Sequence, residues 1–379
     1  MKIAEVIATF PPYHGGMGYV CYHNALQLAR RGHEVRVFTL DHRRSAYTND
    51  PSEFQVTRLR TPLLYGDGGV VPQLYFRLKG FDVVHLHYPF FGGAEYVYLS
   101  SLFRGDKYFL TYHMDVLGNT PFKKAVIRCY DAVLQKQIIG RAARIGALTF
   151  EHLKSSAVAG FVDWNRVIEM PNGVDVRLFA PGPPLAELQD RYRLKGKKVA
   201  LFVGNLQPFK GLHLLIDALS RVEDRGLVLL VVGGGYAEQE YRRQVHSRDM
   251  DDRVIFAGPQ TPGKGLEEHY RLADFLVLPS THSEAFPLVV LEAMATGKPA
   301  IVSSLPGPSQ LVSDGRDGLI ARVGDVEDLR EKIAYLAGND SIRSTMGKEA
   351  VEKVRQRYSW DSVGVLLEQA LLETMNAHD

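Results

Sequence analysis

The chain has 379 residues, of which 45% are apolar and 23% charged, a globular composition that excludes wholesale disorder. Its length fits two domains of roughly 150–200 residues each. The two cysteines cannot by themselves form a disulfide framework or a four-ligand zinc site. The longest apolar run, residues 227–232, is far shorter than the roughly 20 residues that span a membrane. The first apolar run contains Glu5 and no small-residue cleavage site follows it, so we expect no signal peptide and a soluble, cytosolic protein.

The formal net charge is only +2, but basic residues are concentrated in the first half of the chain. Residues 1–170 contain 20 Lys and Arg against 14 Asp and Glu, and residues 104–160 contain 9 against 4. Such an excess suits an anionic partner, such as a membrane surface or a phosphate-bearing substrate. A merely solvated basic face would have the same composition. No DNA- or RNA-binding motif accompanies the charge, so we expect no nucleic-acid partner.

Short apolar strands alternate with amphipathic segments through the first half of the chain. The first strand, over residues 2–9, leads into a loop over 10–18 and a helix over 19–31. The pattern predicts further strands at 34–40, 54–59, 83–87, 108–111 and 144–148. This alternation predicts a parallel sheet with helices on both faces.

The alternation restarts after residues 171–198, a stretch that is rich in proline and glycine. Strands are predicted at 199–203, 228–232, 254–256, 275–278 and 300–303, and residues from 341 onward read as helical. The fold class is therefore α/β, with two successive doubly wound halves. Ligands of such sheets bind beyond the carboxyl ends of the strands, so functional residues are sought just after each strand.

The first such place is the G-G-M-G run at 15–18, at the start of the first helix. Glycines let a phosphate or sugar approach the backbone, and a helix N-terminus offers free N–H groups. A dinucleotide site with Asp41 on the ribose is an alternative, but the glycines do not follow the strand directly as that fingerprint requires. A merely tight strand-to-helix turn is the other alternative.

The second place is the loop over residues 204–211, which follows the strand at 199–203. Lys210 stands one residue before the glycine that opens the next helix. A lysine there can place a point charge on a phosphate. The order of a Walker loop is absent.

The third place is the segment 283–297, in which Glu284 precedes a helix predicted over 287–296 and Glu292 lies in its second turn. Pro287 suits the first helical turn and Gly297 a position just after the end. A diphosphate can bind the free N–H groups of such a helix, and the carboxylates can accept hydrogen bonds from sugar or ribose hydroxyls. Glu292 stands among apolar residues, so it either has a buried partner or is an exposed glutamate on an amphipathic helix.

Taken in order, these segments resemble the family-4 (GT4) retaining glycosyltransferases, which have the GT-B fold. Glu284 and Glu292 match the E-x7-E signature of that family. The resemblance covers nearly the whole chain and includes G-G-M-G at 15–18, D-V-V-H-L-H at 82–87, T-Y-H-M-D at 111–115, P-N-G-V-D at 171–175 and K-G at 210–211.

The resemblance implies two Rossmann-like domains that face each other across a cleft. Residues 1–170 would be the acceptor-side domain and residues 171–358 the donor-binding domain, with Asn172 in the connection between them. The last segment, 359–379, would pack back on the first domain as a helix.

The resemblance also implies roles for individual residues. Glu292 would bind the nucleotide ribose and Glu284 the hydroxyls of the donor sugar, while Lys210 and the backbone amides at 286–288 would hold the diphosphate. The residues with implied catalytic roles are Glu284, His113 and Lys210. The residues with implied donor-binding roles are Gly16, Asn205, Lys210, Gly258, Glu284, Ala285, Phe286, Pro287, Leu288 and Glu292. The residues implied on the acceptor side are Gly15 and Asp115.

Three histidines call for separate interpretations. His85 and His87 alternate on one predicted strand, a position more typical of structural histidines. His113 comes at the carboxyl end of the next strand, which favours a functional role, and the resemblance places it near the donor sugar. No metal site is implied, since lysine and helix dipoles replace the cation in this family.

Two positions depart from the family pattern. The family commonly has arginine where Asn205 stands, and frequently glycine where Pro287 stands, so the diphosphate site would lose one charge and one N–H donor. These departures leave open a non-catalytic or weakly active nucleotide-sugar-binding protein. A GT-B nucleotide-sugar epimerase or phosphorylase is a further alternative.

The activity implied is transfer of a hexosyl group from a UDP- or GDP-sugar to a hydroxyl of a glycan or lipid-linked acceptor, with retention. The product would be a cell-surface polysaccharide or lipopolysaccharide. Residues 121–144 combine basic and apolar side chains, which favours peripheral binding to the anionic inner face of the cell membrane or simply packing in the core. The sequence leaves the oligomeric state open.

Overall fold

The computed structural model describes residues 1–12, 15–42, 51–116, 120–282 and 284–377, apart from the side chains of 122–124 and 126. Ser283 of the third motif therefore lies outside the described residues. The chain divides into two compact units. The first comprises Met1–Asn172 together with Trp360–Asp379, and the second is Gly173–Ser359.

The first unit contains a seven-stranded parallel sheet in the order β3-β2-β1-β6-β7-β8-β9, with a small antiparallel hairpin, β4-β5. Its strands are β1 (Lys2–Val6), β2 (Glu34–Leu40), β3 (Gln55–Leu59), β4 (Leu64–Tyr65), β5 (Gly68–Gly69), β6 (Val83–Tyr88), β7 (Tyr108–Tyr112), β8 (Arg144–Ala147) and β9 (Val167–Glu169). Its helices are α1 (Gly16–Arg30), α2 (Gln73–Arg77), α3 (Ala94–Arg104), α4 (Pro121–Tyr130), α5 (Lys136–Arg141), α6 (Phe150–Lys154) and, from the chain end, α14 (Trp360–Asn376). The strand order reverses between β1 and β6.

The second unit contains a six-stranded parallel sheet in the order β12-β11-β10-β13-β14-β15. Its strands are β10 (Lys198–Val203), β11 (Leu227–Val232), β12 (Val254–Gly258), β13 (Phe275–Leu278), β14 (Ala300–Ser303) and β15 (Gly318–Ala321). Its helices are α7 (Ala186–Arg191), α8 (Leu212–Ser220), α9 (Glu238–Ser247), α10 (Leu266–Leu272), α11 (Leu288–Ala295), α12 (Val326–Gly338) and α13 (Asp340–Arg357). The order reverses between β10 and β13, and the two sheets are separate, as a GT-B chain requires.

The central strands are continuous apolar runs because both faces of each sheet are covered by helices. All six residues of β11 are buried, as are five of the six in β10. The strands that the sequence did not predict are short or lie at an edge: β9, β15 and the β4-β5 hairpin. Length alone does not explain the omission, since β8, β13 and β14, with four residues each, were predicted.

The first helix begins three residues earlier than predicted. The N–H of Tyr19 donates to the carbonyl of Gly15 at 3.1 Å, so the helical ladder starts at the glycines that the sequence pattern assigned to a loop. Glycine is a weak helix former, so propensity alone favours a loop at these positions.

The basic segment is helical without a break over 121–141, as the sequence suggests. α4, a π-helical stretch (Asp131–Gln135) and α5 follow one another directly, and Arg144 already belongs to strand β8. Ile138 and Ile139 are buried in the core, so part of the apolar side of the segment packs inward. The side chains of Lys123 and Lys124, which the membrane hypothesis uses, lie outside the described ones.

The last helix, α14, packs on α1 of the first unit. The Trp360 ring stacks on His23 with 4.6 Å between ring centroids. Leu367 and Leu371 are fully buried in an apolar cluster that includes residues of β1 and β7. Among the described residues, none of the helices combines the length and apolar composition needed to cross a membrane.

We expect Leu367→Ala to lower the free energy of unfolding of the first unit by about 2–5 kcal/mol, because it leaves a cavity in a packed core. Leu366→Ala on the same helix removes a side chain that is 41% exposed, and we expect a change within about 0.5 kcal/mol. Both tryptophans, Trp164 and Trp360, belong to the first unit, so tryptophan fluorescence during urea unfolding reports on that unit. Equal effects of the two substitutions would contradict the packing of α14.

Candidate functional site

Two loops of the second unit meet where its strand order reverses. One follows β10 and contains Lys210, and the other follows β13 and contains Glu284. β10 and β13 are parallel neighbours, so their carboxyl ends lie at the same edge of the sheet. This is the place where open α/β sheets bind ligands.

Lys210 and Glu284 form an ion pair. The lysine Nζ lies 2.6 Å from Oε2 of Glu284, and both side chains are largely buried. The hydroxyl of Ser280, which is fully buried, donates to the same oxygen at 3.0 Å. Both bonds end on Oε2, so these contacts leave the lone pairs of Oε1 unused.

Two glycines hold these loops in place through close backbone contacts. Gly211 has φ of +74°, and a Cβ there would lie 2.0 Å from the carbonyl oxygen of Pro279. A Cβ on Gly307 would lie 2.2 Å from the carbonyl oxygen of Glu284 and 2.3 Å from that of Ala285. A side chain at either position would displace backbone, so the loops that carry the ion pair are packed at van der Waals contact.

Helix α11 begins at Leu288, with Pro287 as its extended N-cap residue. Pro287 therefore lies just outside the helix, not in its first turn as predicted, and the helix ends at Ala295 rather than at 296. The N–H that Pro287 lacks would be the N–H of the N-cap residue and not of the first helical residue. The ring of Phe286 is buried against Tyr358, with 6.1 Å between centroids.

Glu292 has the buried partner that its apolar surroundings require. The Tyr270 hydroxyl, from α10, donates to its Oε2 at 2.6 Å. Burial disfavours the charged carboxylate and raises the pKa of Glu292 to about 7, although the bond from Tyr270 acts in the opposite direction. The exposed-glutamate alternative is thus wrong, and the carboxyl changes protonation state near neutral pH.

The remaining predicted donor-binding residues surround the same edge of the sheet. Asn205 is exposed, two positions after the end of β10. Ala285 and Leu288, which follow Glu284 in the sequence, are half-buried. Gly258 ends β12 with φ of +76°, and its carbonyl accepts from the N–H of Gly233 at 3.0 Å.

In the first unit, the glycines at the start of α1 differ in their surroundings. A Cβ on Gly18 would lie 2.8 Å from the carbonyl oxygen of Thr9, so Gly18 is required by packing. A Cβ on Gly16 would meet nothing within 4 Å, and Gly15 and Gly16 are both exposed. No described residue therefore explains why Gly16 lacks a side chain.

His113 is buried at the carboxyl end of β7 and bonded to other histidines. Its Nε2 lies 2.9 Å from Nδ1 of His87, whose Nε2 lies 2.8 Å from the Glu5 carboxylate. Burial, followed by the proximity of His87 and His85, holds the pKa of His113 well below its usual range. Asp115 nearby accepts hydrogen bonds from the Tyr112 hydroxyl and from the N–H of Ala157.

Sequence reasoning missed three residues of these arrangements: Glu5, Tyr270 and Ser280. An acid inside an apolar strand was a usable signal for Glu5. The need of Glu292 for a partner was recognised, but Tyr270 is 22 positions away and only packing of α10 on α11 identifies it. Nothing in the pattern distinguishes Ser280 from an ordinary loop serine.

Comparison with known proteins identifies the family. Residues 14–203 match the family Glycosyltransferase Family 4, and residues 186–353 match Glycosyl transferases group 1. The chain belongs to glycosyltransferase family 4.

One similar family-4 relative is the D-inositol 3-phosphate glycosyltransferase of Corynebacterium efficiens, 28% identical over 96% of this chain and 91% of the relative. Anabaena Alr3699/HepE in complex with UDP has a TM-score of 0.79 at 19% identity, covering 98% of this chain and all of that one. The lipopolysaccharide outer core galactosyltransferase WaaB has a TM-score of 0.70 at 18% identity, covering 98% and 99% of the two chains. The family-4 chain therefore has the GT-B fold that its sequence motifs imply.

We expect the raised pKa of Glu292 to lower the free energy of unfolding of the family-4 enzyme as the pH rises from about 4.5 to about 7. Its pKa is 4.5 in the unfolded chain and about 7 in the folded one, so between these values only the folded state holds the proton. The shift corresponds to about 3 kcal/mol.

Because other groups titrate over the same range, Glu292→Gln is compared with the unchanged protein by thermal unfolding at each pH. The stability of the variant relative to the unchanged protein should rise across this window. Tyr270→Phe removes the bond that lowers the pKa, so the loss should extend to higher pH. A pH-independent difference between Glu292→Gln and the unchanged protein would contradict the raised pKa.

Proposed function

We propose that this chain is a retaining, metal-independent hexosyltransferase that uses a nucleotide diphosphate sugar, with UDP as the favoured nucleotide. The observation that carries the proposal is the Lys210–Glu284 ion pair at the carboxyl ends of β10 and β13, beside the N-terminus of α11. The pair combines a cation suited to phosphate with an acceptor suited to sugar hydroxyls. The Anabaena protein of similar fold binds UDP, which supports the choice of nucleotide.

Within the ion pair with Glu284, Lys210 still has N–H donors for a diphosphate. An ammonium group has three N–H donors, and the contact with Glu284 uses one of them. The N-terminal N–H groups of α11 carry partial positive charge and suit the same anion. These donors stand in for a divalent cation in our proposal, and they offset the absence of arginine at Asn205.

The two glutamates have different proposed partners. Oε1 of Glu284 accepts from hydroxyls of the donor sugar, while Oε2 stays bonded to Lys210 and Ser280. Glu292 accepts from the ribose hydroxyls. Ribose bonds to the ionised carboxylate would lower the raised pKa of Glu292, so nucleotide binding and deprotonation favour each other.

The proposed reaction forms and breaks its bonds on one face of the sugar. The bond from the anomeric carbon to the phosphate oxygen breaks, and its electron pair leaves with the phosphate. The acceptor oxygen then bonds to the anomeric carbon from the same face, and its proton passes to the departing phosphate oxygen. Lys210 stabilises the charge that develops on that phosphate. Glu284 binds the sugar and does not attack it.

The first unit is proposed to supply Gly16 beside the diphosphate, His113 beside the donor sugar, and Gly15 with Asp115 on the acceptor side. Open space at Gly16 supports close approach of a ligand to its backbone. The acceptor is a hydroxyl of a glycan or of a lipid-linked glycan on an anionic membrane surface. The excess of basic residues over 104–160 supports an anionic partner.

The proposed donor site is tested with UDP, GDP, ADP and dTDP and their hexose conjugates, by thermal stabilisation and by release of nucleoside diphosphate. We expect UDP compounds to raise the melting temperature most, since a ligand that binds only the folded state stabilises it. Glu292→Ala should weaken binding of UDP itself by on the order of tenfold, a loss of about 1.4 kcal/mol. Glu284→Gln should reduce turnover while UDP binding changes little.

Acceptors are offered free, as inositol phosphates and glycans, and on anionic vesicles whose co-sedimentation with the protein is measured in parallel. Binding of UDP-sugars without transfer to any of these acceptors would favour a non-catalytic binding protein. Full activity of both glutamate variants would show that the donor site lies elsewhere. Vesicle binding that is absent even at low salt would exclude the membrane-bound acceptor.

We expect Gly16→Ala to leave the melting temperature unchanged or slightly raised, because the new Cβ meets nothing within 4 Å. Transfer activity should nevertheless fall, since the methyl group would occupy the space of the proposed diphosphate. Gly140→Ala is the matched control: Gly140 is also a helical glycine with nothing within 4 Å, in α5, and its substitution should likewise leave the melting temperature unchanged or raised but should not change transfer activity. Unchanged activity of Gly16→Ala would remove Gly16 from the site.

A further inference from the structure

The sheet of the first unit buries a set of polar side chains on three adjacent strands, β1, β6 and β7. Glu5 pairs in register with His85, and His87 pairs with Thr111 on the next strand. Residues in register on neighbouring parallel strands project to the same face, so these side chains meet inside the unit. Glu5, His85 and His87 have no exposed surface. The proposed reaction uses only their neighbour, His113.

The polar contacts of this set branch at Glu5. Its Oε2 lies 2.8 Å from Nε2 of His87 and 2.9 Å from Nδ1 of His85. The His87 branch continues to His113, with 2.9 Å between His87 Nδ1 and His113 Nε2. The His85 branch ends at Thr111, with 2.8 Å between His85 Nε2 and the Thr111 hydroxyl oxygen. Only one branch therefore reaches a proposed substrate contact.

The separations within this set are shorter than those of ligands on one metal ion. A zinc ion with bonds of about 2.0–2.1 Å in tetrahedral geometry holds its ligand atoms about 3.3 Å apart. The nearest nitrogens of His87 and His85 lie 2.8 and 2.9 Å from Oε2 of Glu5. The His87 contact is a direct N–H to carboxylate hydrogen bond, whereas Nδ1 of His85 is close to the carboxylate without hydrogen-bond geometry.

The Glu5 carboxylate, at one end of the His87 branch, determines which ring nitrogen of each histidine carries the proton. A carboxylate can only accept, so His87 carries a proton on Nε2. Burial first, and then the proximity of His85, lower the pKa of His87 to about 4 against the opposing effect of Glu5, so at neutral pH it has no second proton. Nδ1 of His87 is then an acceptor, and His113 donates to it from Nε2.

We propose that Glu5 and His87 are positioning residues that hold His113 in the tautomer with its proton on Nε2 and a lone pair on Nδ1. His113 then meets the substrate as a hydrogen-bond acceptor for a sugar hydroxyl, not as a proton donor. This inference rests on the proposed function, in which His113 touches the donor sugar. His85, on the other branch, does not contact His113 and contributes only by lowering the pKa of His87.

The tautomer is measured without any substrate, on the full chain with ring-¹⁵N histidine, by long-range ¹H–¹⁵N correlation at neutral pH. The His113 signals are assigned by their loss in His113→Gln. We expect an Nε2-protonated ring in the unchanged protein and a mixture of tautomers in His87→Leu. A ring protonated on Nδ1, or on both nitrogens, in the unchanged protein would overturn the proposal.

The kinetic test compares His87→Leu with His85→Leu, two residues apart on one strand and both within 2.9 Å of the same carboxylate oxygen. With a UDP-sugar donor, we expect His87→Leu to lower kcat on the order of 10- to 100-fold with little change in KM, as for other partners that orient a functional histidine. The kcat of His85→Leu should stay within about threefold of that of the unchanged protein, which corresponds to about 0.65 kcal/mol when tenfold is 1.36 kcal/mol. Equal losses in both variants would show a structural role and overturn the proposal.

His87→Gln tests the same relay if His87→Leu fails to fold. Its amide oxygen can accept from His113 while its amide N–H donates to Glu5, so both hydrogen bonds of His87 are kept. It should recover the Nε2-protonated ring and part of kcat. Failure to recover either would count against the relay. A protein that shows the expected tautomer but no transfer with any donor would refute the proposed function while the positioning of His113 stands.

Discussion

The Lys210–Glu284 ion pair of the second unit depends on close backbone contacts at Gly211 and Gly307, where no larger residue would fit. Lys210 and Glu284 belong to different loops, 74 positions apart, and each loop adjoins a glycine whose Cβ would collide with a carbonyl oxygen. With the backbones in contact, two side chains of opposite charge meet at 2.6 Å without further adjustment. The capacity of the site for a diphosphate and a sugar depends on this spacing.

The two units each bury a glutamate, and the pKa of the two acids is shifted in opposite directions. Glu292 has one neutral donor, Tyr270, so the cost of burying its charge prevails and its pKa rises to about 7. Burial also opposes ionisation of Glu5, but attraction by His85 and the hydrogen bond from His87 outweigh it, and the pKa of Glu5 falls to about 2. The number and kind of donors decide the outcome, not the depth of burial.

The order of elements and the ligand-binding edge of each sheet could be predicted because local apolar runs and turn residues determine them. Strands β10, β11 and β13 were recognised from continuous apolar sequence, and Glu284 and Lys210 from their places just after strands. The edge strands β9 and β15 were not predicted; each pairs with a single neighbour, so its strand character is decided at the edge of the assembled sheet. The start of α1 at Gly16 was missed because the low helix propensity of glycine favours a loop there.

The sequence by itself determined the family, the fold class and the candidate donor-site residues, because motif spacing and strand alternation are properties of neighbouring positions. Tertiary structure decided the partners: Tyr270 for Glu292, Ser280 for Glu284, and the branch from Glu5 through His87 to His113. These pairs are separated by up to 82 positions, and only the parallel register of β1 with β6 or the packing of a helix brings them together. Protonation states depend on such partners and on burial, so they follow from the fold and not from the order of residues.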